Sequence, residues 1–317
     1  MSRMKIIGTV AAALGLALAT QTLAQESIVA PGASLQKLAG DFAFTEGPAC
    51  DREGNVFFTD QPNDRILKWS VDGQLSTFMQ PCGRANGLSF DHAGNLWACA
   101  DEKNELWRIS LDDKKVLVVL KDFQAKLFNG PNDLWLAQPK TRLRAPADPD
   151  RSPAASGIYF TDPFYKRNYW NRGPKEMPES VYYLPPQGGA PLRIIDDLKQ
   201  PNGIIGTPDG RLLYVADIGA SKTYRYRIQG DGTVADKTLF CERGSDGLTI
   251  DNKGNIYTTS KGVFVFSPEG RQIEHIEVPE GWTANVCFGG RDRHTLFITA
   301  SKGFYSLRMR VNGVDSQ

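Results

Sequence analysis

Six polar side chains recur at one position of a repeated segment in this sequence, and their chemistry suits a metal ion. They are Glu46, Asn86, Asn132, Asn202, Asp246 and Asn285. In four repeats the polar residue lies eight positions before a turn glycine, as Glu46 does before Gly54, and Asn285 lies eight before Arg293. A repeated fold that closes on itself would bring these six side chains together around one axis.

Four members of this set carry oxygen donors of the kind that hard cations prefer. Glu46, Asn132, Asn202 and Asp246 offer two carboxylates and two amide carbonyls, without sulfur or imidazole. We therefore predict one divalent cation bound by these four residues, Ca²⁺ first, with Mg²⁺, Mn²⁺ or Zn²⁺ as alternatives. In the alternative interpretation the same residues only cap the starts of strands, as Asn and Asp before Gly often do. A purely structural role would favour one residue type, yet this set mixes three.

The segments around these residues have the pattern of β-hairpins. Each polar residue precedes an apolar run, a turn of the Asp-x-x-Gly-Asn type and a second β-rich run. A second hairpin follows in most repeats, which makes four strands per repeat. The turn-to-turn period is 40 residues from Gly54 to Gly94 and 44 from Gly210 to Gly254, and periods of about 40–50 residues indicate a β-propeller.

The predicted fold class is therefore all-β, a six-bladed β-propeller with a central metal site. We expect the six polar residues to start the innermost strands. The segment around residues 27–38 should add a strand that closes the last blade, because closure removes exposed sheet edges.

The third repeat contains two long irregular stretches. Residues 138–156 are rich in Pro, Arg, Ala and Asp, and residues 164–180 are aromatic and basic. They are either solvated surface insertions or a lid or wall over the central site.

Composition and processing signals limit the location and partners. The chain has 317 residues, 41% of them hydrophobic, a net charge of +1 and no block of like charge, so neither nucleic acid nor an anionic membrane is an expected partner. Residues 1–24 have the basic start, apolar stretch and small-x-small site of a signal peptide. We expect a single propeller domain over 25–317 that is periplasmic or secreted. After the signal peptide is cleaved, we expect no membrane partner.

Several common catalytic patterns are absent from the sequence. It has no G-x-S-x-G elbow, no H-E-x-x-H and only three histidines, which argues against a Ser-His-Asp triad. The five cysteines form no C-x-x-C pair, and Cys50, Cys99 and Cys287 lie within β-runs, where small core residues are expected.

The motifs TEGPACD, LFNGPNDL, GIYFTDP, QPNGI, SDGLTID and ANVCFGG, in this order, resemble those of the SMP-30/gluconolactonase/luciferin-regenerating family. The resemblance covers about residues 43–308 and suggests an exported bacterial gluconolactonase-like member. It implies a six-bladed propeller with one divalent cation in its central channel and the opening of a sugar lactone, glucono-1,5-lactone especially. Matched by motif, Glu46, Asn202 and Asp246 would be metal ligands, and Asn132 a fourth ligand or a substrate contact. Asp246 would also be the general base.

These residues suit hydrolysis without a covalent nucleophile. A cation would polarise the lactone carbonyl, water would attack, and the Asp246 carboxylate would take its proton. Asn86, Asn132 and Asp133 are the predicted substrate contacts, although Asp133 suits a structural role equally well. One departure leaves the substrate open, because members of the family often carry Arg before the Phe-Asn of the GPND loop, where this chain has Leu127.

Other functions are compatible with the same architecture. One is a related propeller hydrolase for another lactone or a phosphotriester. A second is a non-catalytic propeller that binds protein or sugar, and a third is a strictosidine-synthase-like propeller with a catalytic Glu. The four-residue oxygen set argues against the last two. The expected partner is a small sugar lactone, and the expected assembly is a monomer or a small homo-oligomer.

Overall fold

The computed structural model describes residues 27–137 and 156–314 of the chain. The predicted signal peptide and residues 138–155 of the first insertion lie outside these ranges. Within them the strands form six four-stranded sheets and one two-stranded sheet. The six larger sheets are the blades of a propeller, and the predicted fold class is confirmed. No helix among the described residues is long and apolar enough to span a membrane.

The strands follow one another from the centre of each blade outward. Strands are numbered in chain order, beginning with β1 (Gln36–Ala39). Blade 1 contains β2 (Thr45–Cys50), β3 (Val56–Asp60), β4 (Arg65–Trp69) and β5 (Leu75–Met79). Blade 2 contains β6 (Ala85–Phe90), β7 (Leu96–Ala100), β8 (Glu105–Ile109) and β9 (Val116–Leu120). A small hairpin, β10 (Asp122–Phe123) and β11 (Lys126–Leu127), leads to blade 3, which contains β12 (Leu134–Ala137), β13 (Gly157–Asp162), β14 (Ser180–Leu184) and β15 (Leu192–Ile195).

The second half of the chain repeats this arrangement. Blade 4 contains β16 (Pro201–Gly206), β17 (Leu212–Asp217), β18 (Lys222–Ile228) and β19 (Val234–Cys241). Blade 5 contains β20 (Leu248–Ile250), β21 (Ile256–Ser260), β22 (Gly262–Phe266) and β23 (Gln272–Ile276). Blade 6 contains β24 (Thr283–Gly289), β25 (Thr295–Ala300), β26 (Gly303–Arg308) and β1. Short 3₁₀ turns follow β3, β7 and β17, at Gln61–Asn63, Asp101–Lys103 and Ile218–Ala220.

The hydrophobic core lies between neighbouring blades. The second strands, such as β3 and β13, are buried along their whole length, since each sheet packs against a sheet on both faces. Between blades 1 and 2, for example, Phe57 and Ile66 pack with Leu88 and Leu96. The outermost strands face solvent, as the exposed residues of β9 do.

The ring closes through the N-terminal strand. β1 pairs antiparallel with β26, with Gln36 opposite Ser306, and Val29 forms a further bridge to Met309. The innermost strands then contact each other in an unbroken cycle from β2 through β6, β12, β16, β20 and β24 back to β2. The predicted closing strand is confirmed.

Strand direction assigns each loop to one end of the propeller. Each innermost strand starts at one end of the channel and runs to the other, where the strands of blades 1, 2 and 5 end in the Asp-x-x-Gly-Asn turn. Loops after second strands therefore return to the end where the innermost strands begin. The 3₁₀ turns and the segment 164–180, between β13 and β14, all lie at this end, which we call the ring end.

Candidate active site

The six aligned polar residues stand at the starts of the innermost strands, as predicted. Four are the second or third residue of β2, β6, β16 or β24, and Asn132 and Asp246 lie two residues before β12 and β20. All six side chains are buried, from 1% exposure at Asn202 to 9% at Asp246. The repeat thus produces a ring of buried polar groups.

Irregular strand pairing occurs at the same point in several blades. The register of the inner hairpin shifts between Glu46 and Ala49 in blade 1, and between Pro201 and Ile204 in blade 4. Such bulges bend a strand and re-aim its side chains. Here each shift directly follows or includes a ring residue.

Threonines on the second strands connect the ring residues of adjacent blades. The Thr59 hydroxyl donates to the backbone oxygen of Asn86 at 3.1 Å, and the Thr161 hydroxyl to that of Asn202 at 2.7 Å. Because these bonds are buried and cross between blades, they hold the starts of neighbouring innermost strands at a set separation.

Glycines after ring residues allow this close approach. Gly47 has a φ of 44°, and a Cβ there would lie 2.1 Å from the backbone oxygen of Asn86. A Cβ on Gly247 would lie 1.9 Å from Oδ1 of Asn285. No larger residue fits at either position without moving the next blade.

Three of the four predicted metal ligands lie together. Nδ2 of Asn202 donates to Oδ1 of Asp246 at 2.8 Å, and Nε1 of Trp282 donates to Oδ2 of Asp246 at 2.6 Å. Burial, and then the charge of Asp246, raises the pKa of Glu46 well above its usual value. Burial also raises the pKa of Asp246. The charge of Asp246 therefore disfavours ionisation of Glu46, whereas a hydrogen bond with Glu46 lowers the pKa of Asp246.

This part of the ring has unsatisfied oxygen atoms. Oδ1 of Asn202 is buried and has no hydrogen-bond partner among the described residues. Buried polar atoms normally have a partner, so this atom and the two carboxylates match the donor set of a hard cation. Within the described ranges no group of three or more His, Cys, Asp or Glu side chains is arranged so that these residues alone could hold a metal ion. A cation here would thus depend on amide oxygens as well as on the two carboxylates.

Asp133 crosses the channel instead of joining the ligand group. Its Oδ2 accepts a hydrogen bond of 3.3 Å from Nδ2 of Asn285, which belongs to the opposite blade. A Cβ on Gly87 would lie 2.4 Å from Oδ1 of Asp133, so this carboxyl packs directly against the start of the innermost strand of blade 2. Burial raises the pKa of Asp133 to about 8. The geometry gives Asp133 a bracing role across the channel.

The segment 164–180 forms a wall beside the ring. The Tyr165 hydroxyl accepts a hydrogen bond of 2.7 Å from Nδ2 of Asn202. The Tyr169 hydroxyl donates to Oε1 of Gln61 at 2.7 Å, and Nη2 of Arg172 donates to the backbone oxygen of Asp101 at 2.8 Å. A loop from blade 3 therefore contacts blades 1, 2 and 4, which supports the wall interpretation of this stretch.

Two side chains of this site, Trp282 and Tyr165, were not identified from the sequence. Trp282 lies three residues before Asn285, in the loop that enters blade 6, and Tyr165 lies in the aromatic stretch that had suggested a wall. An aromatic residue close to a ring motif was the available signal, but nothing in the sequence indicated which aromatic side chain would reach the ring.

None of the six ring residues is a histidine or a cysteine. His92 lies in the turn after β6, His275 stacks on Phe264 with 4.0 Å between ring centroids, and His294 directly precedes β25. Burial raises the pKa of Cys99 and Cys287 well above the usual thiol value, which keeps these thiols protonated. Both observations agree with chemistry carried by oxygen donors.

Comparison with known proteins identifies the family. The model of the SMP-30/Gluconolactonase/LRE-like region matches residues 44–302, a range that includes all six ring positions. The chain belongs to this family. A gluconolactonase of Zymomonas mobilis is 27% identical over 318 residues, which cover 91% of this chain and 85% of the relative.

Two further family relatives agree in fold or name. The solved structure of a gluconolactonase from Xanthomonas campestris superimposes with a TM-score of 0.79 at 26% identity, and covers 89% of this chain and 91% of that one. A lactonase of Staphylococcus saprophyticus is 25% identical over 231 residues, which cover 61% of this chain and 69% of the relative. The resemblance seen in the motifs is thus confirmed at the level of the family.

Proposed function

We propose that this protein is a metal-dependent lactonase that opens a sugar lactone such as glucono-1,5-lactone by attack of water. The proposal rests on a buried group of oxygen donors at the ring, formed by Glu46, Asn202 and Asp246, which we call the cup. It combines the Glu46 and Asp246 carboxylates with an Asn202 oxygen that has no hydrogen-bond partner among the described residues. Membership of the gluconolactonase family supports the lactone as substrate.

The proposed metal ligands are Glu46, Asn202 and Asp246, with Asn132 as the fourth. Asn132 is only 3% exposed, and its backbone N–H donates to the backbone oxygen of Thr161 at 2.9 Å. Oxygen donors of this kind favour Ca²⁺, with Mg²⁺, Mn²⁺ or Zn²⁺ as alternatives. When bound, the cation would supply Lewis-acid polarisation of the lactone carbonyl.

Asp246 is the proposed general base. Its two oxygens are each held by a donor, Asn202 on one side and Trp282 on the other, so the carboxylate has a defined orientation. Burial raises its pKa, and a base is most effective when its pKa approaches the working pH. The carboxylate would accept the proton of the attacking water.

Tyr165 is a proposed substrate contact above the ring. Its oxygen accepts from Asn202, which leaves its own O–H available to a ligand. Burial raises the pKa of this phenol above its usual value, so it keeps its proton at neutral pH. It would donate a hydrogen bond to a substrate oxygen. Asn86 and Asn132 remain the proposed amide contacts from the ring itself.

A lactone panel tests the proposal directly. The protein is stripped with chelator, and acid release from glucono-1,5-lactone and other aldonolactones is followed in a pH-stat against the spontaneous rate. Activity should disappear on chelation and return when one divalent cation is added back. Full activity in the stripped protein, or no hydrolysis of any lactone with any cation, would refute it.

A pair of matched variants tests the ligand assignment. Asn202→Ala and Asn86→Ala remove the same side chain from equivalent ring positions. Metal stoichiometry should fall in Asn202→Ala and persist in Asn86→Ala. Equal metal loss from both variants would contradict the assignment.

A further inference from the structure

Arg167 is a largely buried cation at the ring end with few protein partners. Its side chain is 18% exposed, and its Nε–H is buried without a hydrogen-bond partner among the described residues. Its carboxylate neighbour is Asp101, where Nη2 of Arg167 lies 3.6 Å from Oδ2, beyond hydrogen-bonding distance. Buried charges are normally both paired and hydrogen-bonded, so this guanidinium has an ion-pair neighbour but leaves its Nε–H donor unused.

Asp101 already accepts hydrogen bonds from other groups at both of its carboxylate oxygens. Oδ1 accepts from Arg172, and Oδ2 accepts from Nε2 of Gln61 at 3.0 Å. Arg172 also donates to the backbone oxygen of the same residue. The two arginines therefore differ in their contacts: Arg172 fastens the wall to blade 2 by hydrogen bonds to Asp101, although its Nε and Nη1 are unpartnered among the described residues, whereas Arg167 only approaches Asp101 as an ion pair.

Arg167 lies next to the proposed catalytic groups. Its guanidinium carbon stacks 4.5 Å from the ring centroid of Tyr165, the side chain whose hydroxyl contacts Asn202. Burial raises the pKa of Asp246, and the nearby positive charge of Arg167 opposes that rise. A substrate held at the ring would therefore extend toward this guanidinium along the wall.

We propose that Arg167 is a specificity-determining residue that binds an oxyanion carried by the lactone, away from the ester that is opened. This inference rests on the proposed function, because it names the substrate class of the same site. A guanidinium presents paired N–H donors that match a carboxylate or phosphate group in a bidentate arrangement. A neutral hydroxyl would accept a hydrogen bond from the guanidinium but would add no attraction between opposite charges.

Matched lactone pairs test this preference. Glucono-1,4-lactone and glucaro-1,4-lactone differ by a terminal hydroxymethyl against a carboxylate. Glucono-1,5-lactone and its 6-phosphate differ by a phosphate. The wild-type protein should have the higher kcat/KM for the anionic member of at least one pair, and which pair shows it distinguishes carboxylate from phosphate recognition.

Substitution of Arg167 should remove that preference. A hydrogen bond to a charged group contributes more binding free energy than one between neutral groups. Arg167→Gln should therefore lower kcat/KM for the preferred anionic lactone by about 10–100-fold. The neutral partner should lose less, because loss of the charge near Asp246 acts on both lactones whereas loss of the oxyanion contact acts only on the anionic one, so the ratio of the two kcat/KM values is the readout. Lys166→Gln, which removes the same charge from the exposed neighbouring residue, is the control and should leave both rates unchanged. Arg167→Lys should recover only part of the loss, since it keeps the charge and loses the fork.

A binding measurement separates this inference from the proposed function. Calorimetry of the wild-type protein with glucarate and gluconate compares ligands that differ by one carboxylate and have no lactone bond to hydrolyse. Tighter binding of glucarate that disappears in Arg167→Gln supports the inference for carboxylates, even if no lactone is hydrolysed. If Arg167→Gln affects both members of each lactone pair equally, and leaves glucarate binding unchanged, the inference is overturned, although gluconolactone hydrolysis would still stand.

Discussion

Replacing Asp246 with Asn separates the two roles proposed for this residue. The carboxylate lies between two donors, Nδ2 of Asn202 on Oδ1 and Nε1 of Trp282 on Oδ2. An Asn side chain keeps one oxygen, but its NH₂ group must then face one of those donors. The indole N–H can only donate, whereas Asn202 can turn its amide. Turning it would replace the unpartnered Oδ1 of Asn202 with nitrogen, so the variant should lose metal affinity as well as the base.

The two losses have different sizes and are measured separately. Loss of a general base should lower kcat by about 10²–10⁴-fold, which corresponds to about 2.7–5.4 kcal/mol at roughly 1.36 kcal/mol per tenfold change. One unsatisfied donor costs about 1–3 kcal/mol, or about 5–150-fold in metal affinity. Saturating cation removes the second effect and leaves the first.

The double variant Asp246→Asn with Trp282→Phe sharpens the test. Removing the indole donor lets the new amide nitrogen occupy the vacated side while its oxygen stays toward Asn202. Metal affinity should therefore recover, but kcat should not. The assay is acid release from gluconolactone at a metal concentration where the rate no longer rises. If Asp246→Asn matches the wild-type rate there, or if the double variant regains it, Asp246 is not the proton acceptor.

Four further outcomes follow from the same geometry. Glu46→Gln should raise the metal concentration needed for half-maximal activity, and excess metal should restore most of kcat. Because burial and the charge of Asp246 raise the pKa of Glu46, metal binding near neutral pH should release a proton and weaken as pH falls, which calorimetry in buffers of different ionisation enthalpy detects. Trp282→Phe alone should lower kcat by about 3–10-fold with little change in KM, as expected for loss of one orienting hydrogen bond of roughly 1 kcal/mol. Gly47→Ala should lower the free energy of unfolding by at least about 2 kcal/mol in denaturant titrations. Gly94→Ala, with a φ of 85° and open space around its Cβ position, should cost less.

The architecture was predictable because its signals are local and repeated. The turn glycines, the hairpin patterns and the periods of 40 and 44 residues each concern neighbouring residues, and the repeat multiplies a weak signal six times. Closure by the N-terminal strand followed from the need to remove a free edge. The ring positions of Glu46, Asn202 and Asp246 followed from the same register.

The roles of individual side chains were less predictable, because they depend on contacts between blades. Asp133 was predicted as a substrate contact or a structural residue beside the proposed ligand Asn132, and its carboxyl reaches Asn285 on the opposite blade, 152 positions away in sequence. Trp282 and Tyr165 reach Asp246 and Asn202 from separate loops. Composition indicated that the segment 164–180 was unusual but not which of its residues would face the ring.

The ring and the wall are positioned by different parts of the chain, so the proposed reaction and the proposed specificity depend on different contacts. The ring depends on closure: the backbone N–H of Thr45 donates to Ser301 of blade 6 at 2.9 Å, and its hydroxyl donates to Gly303 at the same distance, so the neighbouring Glu46 is held only in the closed propeller. The wall depends on one loop, fastened through Asp101 and Gln61. A change within the loop can therefore alter the groups that meet the substrate while the cup of Glu46, Asn202 and Asp246 keeps its geometry. If the proposed roles hold, substitutions in the wall should change which lactones are preferred more than they change metal binding at the ring.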